Sequence, residues 1–402
     1  MKVLLPIMVC LCGSVMAETR YLSSAGDDAA DGLTPQTAWR TVEKLNASLQ
    51  PGEMARLRRG DVFYGGIKVP GGTDAAHPTV ITDYGEGPKP VVTCTRTIRP
   101  DKSAWTAISP SYCIWRTNLF DPTNCTGTAG GKANVGFLLV DGELMPQLRF
   151  CKDDVNRQWD FAATTDGWLY VHSTNNPARI AKDIRVALNE MGVRLKSNMV
   201  VSNLAIRATG GHGMVGGWDD VVAHVRISDC ELENIGGSEL IGYNRDFRVR
   251  YGNGIEFGSN CSDAVVERCT VRGVYDTAFT MQGRPKSSWS DIHFRDCFIA
   301  DSTQAFEVWC ANAPKGVGFE RCSFVNNRTL NVGGGWGAEV RPNRQCVTPL
   351  LIYSMDTDTI DITVASNRFE NVRFGLLYSC TAGGKAPRGY RIFDNIESLG
   401  VR

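Results

Sequence analysis

SNLAIRA (residues 202–208), DCELENI (229–235), RCTVRGV (268–274), DCFIADS (296–302), RCSFVNN (321–327) and SNRFENV (366–372) are six versions of one phrase. Each has Asn or Cys in second place, followed by alternating apolar residues. Successive second places lie 27, 39, 28, 25 and 45 residues apart. Such intervals suit one coil of a solenoid, the longer ones a coil that carries a loop. Parallel strands of neighbouring coils stack about 4.8 Å apart, so a fixed position becomes a ladder. The phrase predicts an internal ladder of Asn203, Cys230, Cys269, Cys297, Cys322 and Asn367. Small, soft side chains suit a narrow core, and in-register neighbours that point the same way remain free thiols.

A second strand follows each phrase or precedes the first: MGVRLK (191–196), HGMVGG (212–217), NGIEFG (253–258), TAFTMQ (277–282), QAFEVW (304–309), WGAEVR (336–341) and FGLLYS (374–379). Gly or Ala holds second place, and third and fifth places are mostly apolar. Period-two alternation turns third and fifth places inward and second, fourth and sixth outward. The outward stripe then reads Arg194 and Lys196, Val215, Glu256, Thr280 and Gln282, Glu307 and Trp309, Glu339 and Arg341, Leu377 and Ser379. Solvent-facing strands ordinarily carry scattered Lys, Thr and Ser. Glu, Gln, Arg and Trp beside Gly and Ala instead suggest a groove.

The chain has 402 residues, long for one globular core and ordinary for a solenoid, which lengthens coil by coil. Lys plus Arg and Asp plus Glu number 43 each, so the basic footprint of a nucleic-acid binder is missing. Beyond the start, no apolar run is long enough to span a membrane. The opening MKVLLPIMVCLCGSVMAETR has one Lys, an apolar run from Val3 to Met16 and the small Ala17. It reads as a secretory signal cleaved after Ala17, which predicts a secreted or periplasmic protein. We divide the chain into the signal (1–17), an N-terminal cap with the first coils (18–94), an elaborated insertion (95–185) and the main coils of an all-β right-handed parallel β-helix (186–402). A helix over 37–49 is expected to cover the open end of the solenoid. The irregularly placed Cys94, Cys113, Cys125, Cys151, Cys261, Cys310, Cys346 and Cys380 admit disulfides whose pairing the sequence does not specify. No pair has zinc-site spacing.

Equivalent residues on adjacent coils stand about 4.8 Å apart, and two coils apart about 9.6 Å. Glu256 and Glu307 are two coils apart with Thr280 between them, while Glu307 and Glu339 read as neighbours. Retaining glycosidases place their carboxyls roughly 5–5.5 Å apart and inverting ones roughly 6.5–9.5 Å, so either can be built here. Asp276, at the strand edge, adds a third carboxylate, and clustered like charges raise at least one pKa. The catalytic candidates are therefore Glu256, Asp276 and Glu307. The bland alternative pairs them with Arg194, Arg250 and Arg341 as surface ion pairs. Trp218, Tyr251, Trp309 and Trp336 lie near the stripe as sugar platforms, and Asn253 and Gln282 as partners of sugar hydroxyls. A single such Trp can equally cover core. Glu339 and Arg341 complete the substrate-binding candidates with Arg194 and His212.

The opening GDDAADGLTPQTAW with LQPGEMARLRRGD, the middle WDFAATTDGWLYVHSTNNP and the NLAIRA-type coils resemble secreted bacterial proteins of the pectin-lyase-like superfamily. The resemblance covers almost the whole mature chain. It implies a right-handed parallel β-helix and, more loosely, polysaccharide lyase, glycoside hydrolase or epimerase activity. GGHGMVGGWDD (210–220) contains a Gly-His-Gly similar to a short motif of polygalacturonase-type hydrolases, without that group's paired aspartates in order. His212 is thus either a substrate-side group or a core or turn histidine, and Asp219 and Asp220 read as a turn.

Three functions remain open. A glycoside hydrolase would use the carboxylate pair and need no cofactor or metal. A lyase or epimerase on a uronate polymer would use Arg194, Lys196, Arg341 or His212, with calcium among the acids. A non-catalytic carbohydrate-binding β-helix would use the stripe alone. Acids outnumber bases along the stripe, which puts the hydrolase first and a polysaccharide or oligosaccharide as the partner. GGGWG (333–337) lacks the Lys and helix of a phosphate site.

Overall fold

The computed structural model describes residues 18–127, 133–242, 248–284, 286–310, 318–341, 347–353, 360–373, 375–380 and 389–399. The expected leader, residues 1–17, and Cys346 lie outside them. Among the described residues three parallel sheets run the length of the chain. Ten strands form the first, from Thr19–Leu22 to Tyr390–Phe393. Nine form the second, from Val62–Tyr64 to Ile396–Leu399, and seven the third, from Val193–Arg194 to Leu377–Cys380. One coil, Cys261–Glu267 then Thr270–Val274 then Thr277–Gly283, visits the three sheets in turn before Ser288–Arg295 begins the next. The fold is a parallel β-helix, with the right-handed sense that parallel crossovers almost always take.

The corner between first and second sheets explains the repeated phrase. Asn203, Asp229, Arg268, Asp296, Asn326, Ser366 and Asp394 all adopt left-handed backbone, with φ of 51–58°. That conformation costs an ordinary L-residue about 1–2 kcal/mol, and Asn and Asp tolerate it best. The next residue points into the core and bonds to the coil before it. Cys297 N–H donates to Asn327 Oδ1 at 3.0 Å, Asn327 N–H to Asn367 Oδ1 at 2.8 Å, and Asn367 N–H to Asn395 Oδ1 at 2.9 Å. The ladder is therefore Cys230, Cys269, Cys297, Asn327, Asn367 and Asn395, which corrects the expected one at two places. Cys322 lies in the first sheet opposite Ile362, because RCSF continues that strand and the corner comes five residues later. At the other end Leu204, not Asn203, stands in register with Cys230. The ladder cysteines are free thiols, as are Cys94, Cys113, Cys125, Cys151, Cys261, Cys310 and Cys322.

Inside the coils, Phe279 stacks on Phe294 with centroids 5.1 Å apart, and Phe306 on Phe324 at 5.0 Å. These rings belong to one core that extends from Leu22 to Val372. Glycine in second place of the third-sheet segments is a packing requirement. A Cβ on Gly192, Gly213 or Gly254 would lie 2.4–2.6 Å from a carbonyl oxygen of the following coil.

Two segments depart from their expected form. WGAEVR is a short helix, Gly335–Val340, and the strand beside Gln304–Cys310 is Leu350–Tyr353. Alternation in G-A-E-V fits either state. Tertiary packing decides it, since Trp336 wedges between Phe137 and Tyr275 at 5.5 and 5.4 Å. In the last strand Leu377, placed outward by pattern, aligns with the inward Leu350, a slip of one residue. At the N-terminus the helix is shorter than 37–49. A 3-10 turn at Pro35–Thr37 is followed by Val42–Ser48, capped by Thr41 Oγ1, which accepts the Lys44 N–H at 3.0 Å. Between them Trp39 bridges Leu22 and is drawn into the core.

Residues from Thr95 to Leu188 form a five-stranded and a four-stranded sheet, all antiparallel, with their own core around Phe161, Leu169 and Val186. The chain leaves the second sheet after Val91–Thr93 and re-enters at Val193–Arg194, the first strand of the third. The module thus borders the third sheet, where the outward stripe lies.

Removing a ladder amide tests this corner. Asn367→Ala leaves the buried Asn327 N–H without its acceptor and takes the Asn367 amide from Phe324 O. We expect a loss of about 1–3 kcal/mol for each orphaned group, read by urea denaturation.

Candidate functional site

Third-sheet register puts Arg194, Val215, Glu256, Thr280, Glu307 and Leu351 in one outward column. Gln282 and Trp309 are paired in the next column. Ile255, Phe257, Phe279, Met281, Phe306 and Val308 point into the core, as period-two alternation required. Glu339 is not in the column. It sits exposed on the short helix, so the expected Glu307–Glu339 neighbours do not exist.

Glu256 faces outward yet is fully covered. Its Oε2 accepts from Asn253 Nδ2 and Gln282 Nε2, both at 2.7 Å, and Oε1 accepts from Trp218 Nε1. Asn253 Oδ1 in turn accepts the Thr277 N–H at 3.1 Å, which fixes the amide with its NH2 toward Glu256. Both amides expected to meet sugar hydroxyls are thus directed at this carboxyl, and the Trp218 indole roofs it. His212 is buried on its far side, with Nδ1 3.1 Å from both Glu256 Oε2 and the Asn253 backbone N. Tyr251 packs edge-on against His212 at 5.0 Å and donates its hydroxyl to Asn189 Oδ1. Burial pushes that phenol up to about 12, so it stays a donor.

A second cluster lies two coils along. Glu307 Oε2 lies 3.0 Å from Thr280 Oγ1 and 3.3 Å from Thr277 Oγ1. Burial, reinforced by the negative charge of Asp276, pushes the Glu307 carboxyl up to about 8. Thr277 Oγ1 also meets Gln304 Oε1, which only accepts. The single Thr277 proton therefore points to Gln304, leaving an oxygen lone pair that suits a protonated Glu307. Asp276 is partly open and bound by Arg341 Nη2 at 2.6 Å. The Arg341 guanidinium lies over Tyr275 at 5.6 Å.

The remaining candidates divide. Trp309 is half-buried beside Gln282, within reach of the column. Trp336 is wedged under the module, its Nε1 donating to Gly273 O at 2.8 Å, so it packs core and offers no platform. Arg194 turns to Asp219 and Asp220 at 3.8 and 3.9 Å, away from Glu256. Arg250 is not a surface ion-pair partner. It is buried, and three carbonyls, Gly237, Pro146 and Gly136, accept its guanidinium protons at 2.6–3.1 Å. Of the bland ion pairs, only Arg341 with Asp276 forms. Sequence reasoning missed Asn189, Thr277 and Gln304. Thr277 and Gln304 share a rung, and that shared place was the available signal. Among the described residues no three His, Cys, Asp or Glu side chains gather as a metal-ion site.

No protein-family model matches the sequence, and no curated protein matches it. The solved structures it resembles include one described as XylC in complex with xylose. That one is 10% identical with a TM-score of 0.47, covering 96% of this chain and 70% of the other. Another is described as a glycoside hydrolase, 10% identical with a TM-score of 0.45, covering 94% and 96%. A rhamnogalacturonan lyase is 11% identical with a TM-score of 0.36, covering 96% and 90%. At these identities the likeness is one of fold.

The raised Glu307 carboxyl has a consequence for stability. Unfolded, it titrates near its ordinary value of 4.5; folded, near 8. Between these pH values only the unfolded chain releases the proton, so stability falls as pH rises and levels off above about 8. Glu307→Gln is expected to flatten that slope and to gain about 2 kcal/mol or more over wild type at pH 8, with little difference near pH 4.5. Urea denaturation at the two pH values reads it.

Proposed function

We propose that this protein hydrolyses glycosidic bonds of a polysaccharide or oligosaccharide, with Glu307 as the general acid and Asp276 as the carboxylate that activates or replaces water. The observation that carries this reading is the Glu307 carboxyl, pushed up to about 8 by burial and by the charge of Asp276, a second carboxyl that Arg341 holds at 2.6 Å. A carboxyl raised well above its ordinary range beside a second carboxylate is an arrangement that a general-acid role requires.

The steps use only side chains on the page. Glu307 is protonated at neutral pH and donates its proton to the glycosidic oxygen as the bond breaks. Arg341 fixes Asp276 in place by a charge-assisted hydrogen bond. Trp309 borders the cluster and suits the apolar face of a sugar ring, while Gln282 beside it gives its NH2 to Glu256 and keeps its carbonyl oxygen for a sugar hydroxyl. Glu256 does not touch substrate in this arrangement. It acts as a positioning residue, fixing Trp218 and Gln282 from below. The leader-like opening of the sequence fits a secreted or periplasmic enzyme and forms part of the same proposal.

The test is digestion of a glycan panel by purified protein, with products read by mass spectrometry. Hydrolysis adds the mass of one water to each fragment pair, whereas elimination adds none. Glu307→Gln and Asp276→Asn are each expected to lower turnover about 100-fold or more. Because the acid must be protonated, the wild-type rate should fall as pH rises through about 8. Wild-type rates in both variants, or fragment pairs lacking the added water, would sink the proposal.

A further inference from the structure

The insertion module carries a concavity of its own, which shares no residue with the Glu307 cluster. Its four-stranded sheet turns Leu169 and Val171 into the module core. Trp168, Tyr170 and His172 alternate with them on the opposite face. In the adjoining strand Arg116 stands opposite Tyr170 and lies over the Trp168 ring at 4.1 Å. Tyr170, His172 and Arg116 line a cavity of about 690 Å³, within the size range of small-molecule sites. A sheet face whose only role was to meet water would not need two aromatic rings and a stacked guanidinium in neighbouring positions.

Over this cavity stands Tyr112, 74% exposed. Its backbone is pinned. It ends the 3-10 turn Pro110–Tyr112, and the next residue, Cys113, has φ +55° and donates its N–H to Pro110 O at 3.2 Å. Cys113 O then accepts the Ser173 N–H at 2.8 Å, tying the turn to the sheet. An exposed tyrosine on a fixed turn offers apolar area and a hydroxyl with little ordering left to lose on binding.

Charge selects the ligand. Lys152 at the rim is satisfied by Asp153 at 2.8 Å. Arg116 makes no ion pair among the described residues, and its Nε has no hydrogen-bond partner. The cavity therefore has one cationic fork without a carboxylate, beside aromatic rings and hydroxyls. We propose that it is a glycan-binding site for a chain containing carboxylate sugars, with Arg116 taking the carboxylate and Tyr112 and Tyr170 the ring faces. The site would hold polymer independently of the cutting residues, so it stands apart from the hydrolytic reading.

Calorimetric titration of the full chain tests it, with Glu307→Gln present throughout to prevent turnover. The probes are an oligogalacturonate and a xylo-oligosaccharide of equal length. The acidic oligomer is expected to bind, and Tyr112→Ala and Arg116→Gln each to weaken it about 10-fold or more, while neither changes the response to the neutral oligomer. Tyr112 is exposed, so its variant decides the matter even where Arg116→Gln disturbs folding. Absence of binding by the acidic oligomer, unchanged affinity in Tyr112→Ala, or equal losses for both oligomers overturns the assignment. Since no product is measured, failure here leaves the hydrolase test untouched, and the reverse holds too.

Discussion

In-register hydrogen bonding between equivalent strands of successive coils is the constraint on which the structure depends. It forces each position into a column, so whatever one coil does its neighbours must accommodate a few ångströms away. Inside, this gives stacked phenylalanines and an amide ladder in which each side chain accepts the backbone N–H of the coil before it. Outside, it allows a carboxyl, a hydroxyl and a second carboxyl to stand on consecutive rungs, as Glu256, Thr280 and Glu307 do. A globular fold would have to bring such groups together by long-range packing. Here the backbone does it.

The same regularity leaves the module to be fastened by other means. Arg250 does much of this. It reaches from the coil side to carbonyls of Gly136 and Pro146 in the module and Gly237 in the solenoid, with Tyr275 and Trp336 against its faces. Burial lowers the guanidinium to about 10, still far above neutrality, so a charge is retained where no carboxylate among the described residues pairs with it. Carbonyl dipoles and ring faces compensate for it. Arg341 follows the short helix whose Trp336 packs in this contact, and it is the group that holds Asp276. Seating of the module and geometry of the candidate acid cluster are thereby linked through one helix.

Legibility followed periodicity. Period-two alternation correctly placed Arg194, Val215, Glu256, Thr280, Gln282, Glu307 and Trp309 outward, because pleat and burial both obey it. It failed at WGAEVR, where Trp336 gains more from Phe137 and Tyr275 than a strand would give, and those partners are distant in sequence. It also misplaced Cys322, because one pattern, a small residue followed by alternating apolar ones, fits two places five residues apart. A left-handed residue precedes both, Arg321 and Asn326, and only the sheet pairing distinguishes them. Identity of the outward residues was legible, but their mutual commitments were not. Nothing local says that Asn253 gives its carbonyl to Thr277 N–H and so must turn its amide to Glu256.

Those commitments separate two carboxyls that look equivalent in sequence. Glu256 is met by three N–H donors, each already oriented by another contact or by packing, under an indole that excludes solvent. Glu307 has only hydroxyls near it, one of them turned toward Gln304, and a like charge close by. Its neutral form is the one these surroundings favour, at the cost of stability once pH rises and the unfolded chain can ionise freely. One column thus holds two glutamates in opposite surroundings: at one rung a carboxyl raised to about 8 at a cost in stability, at the other a carboxyl surrounded by N–H donors.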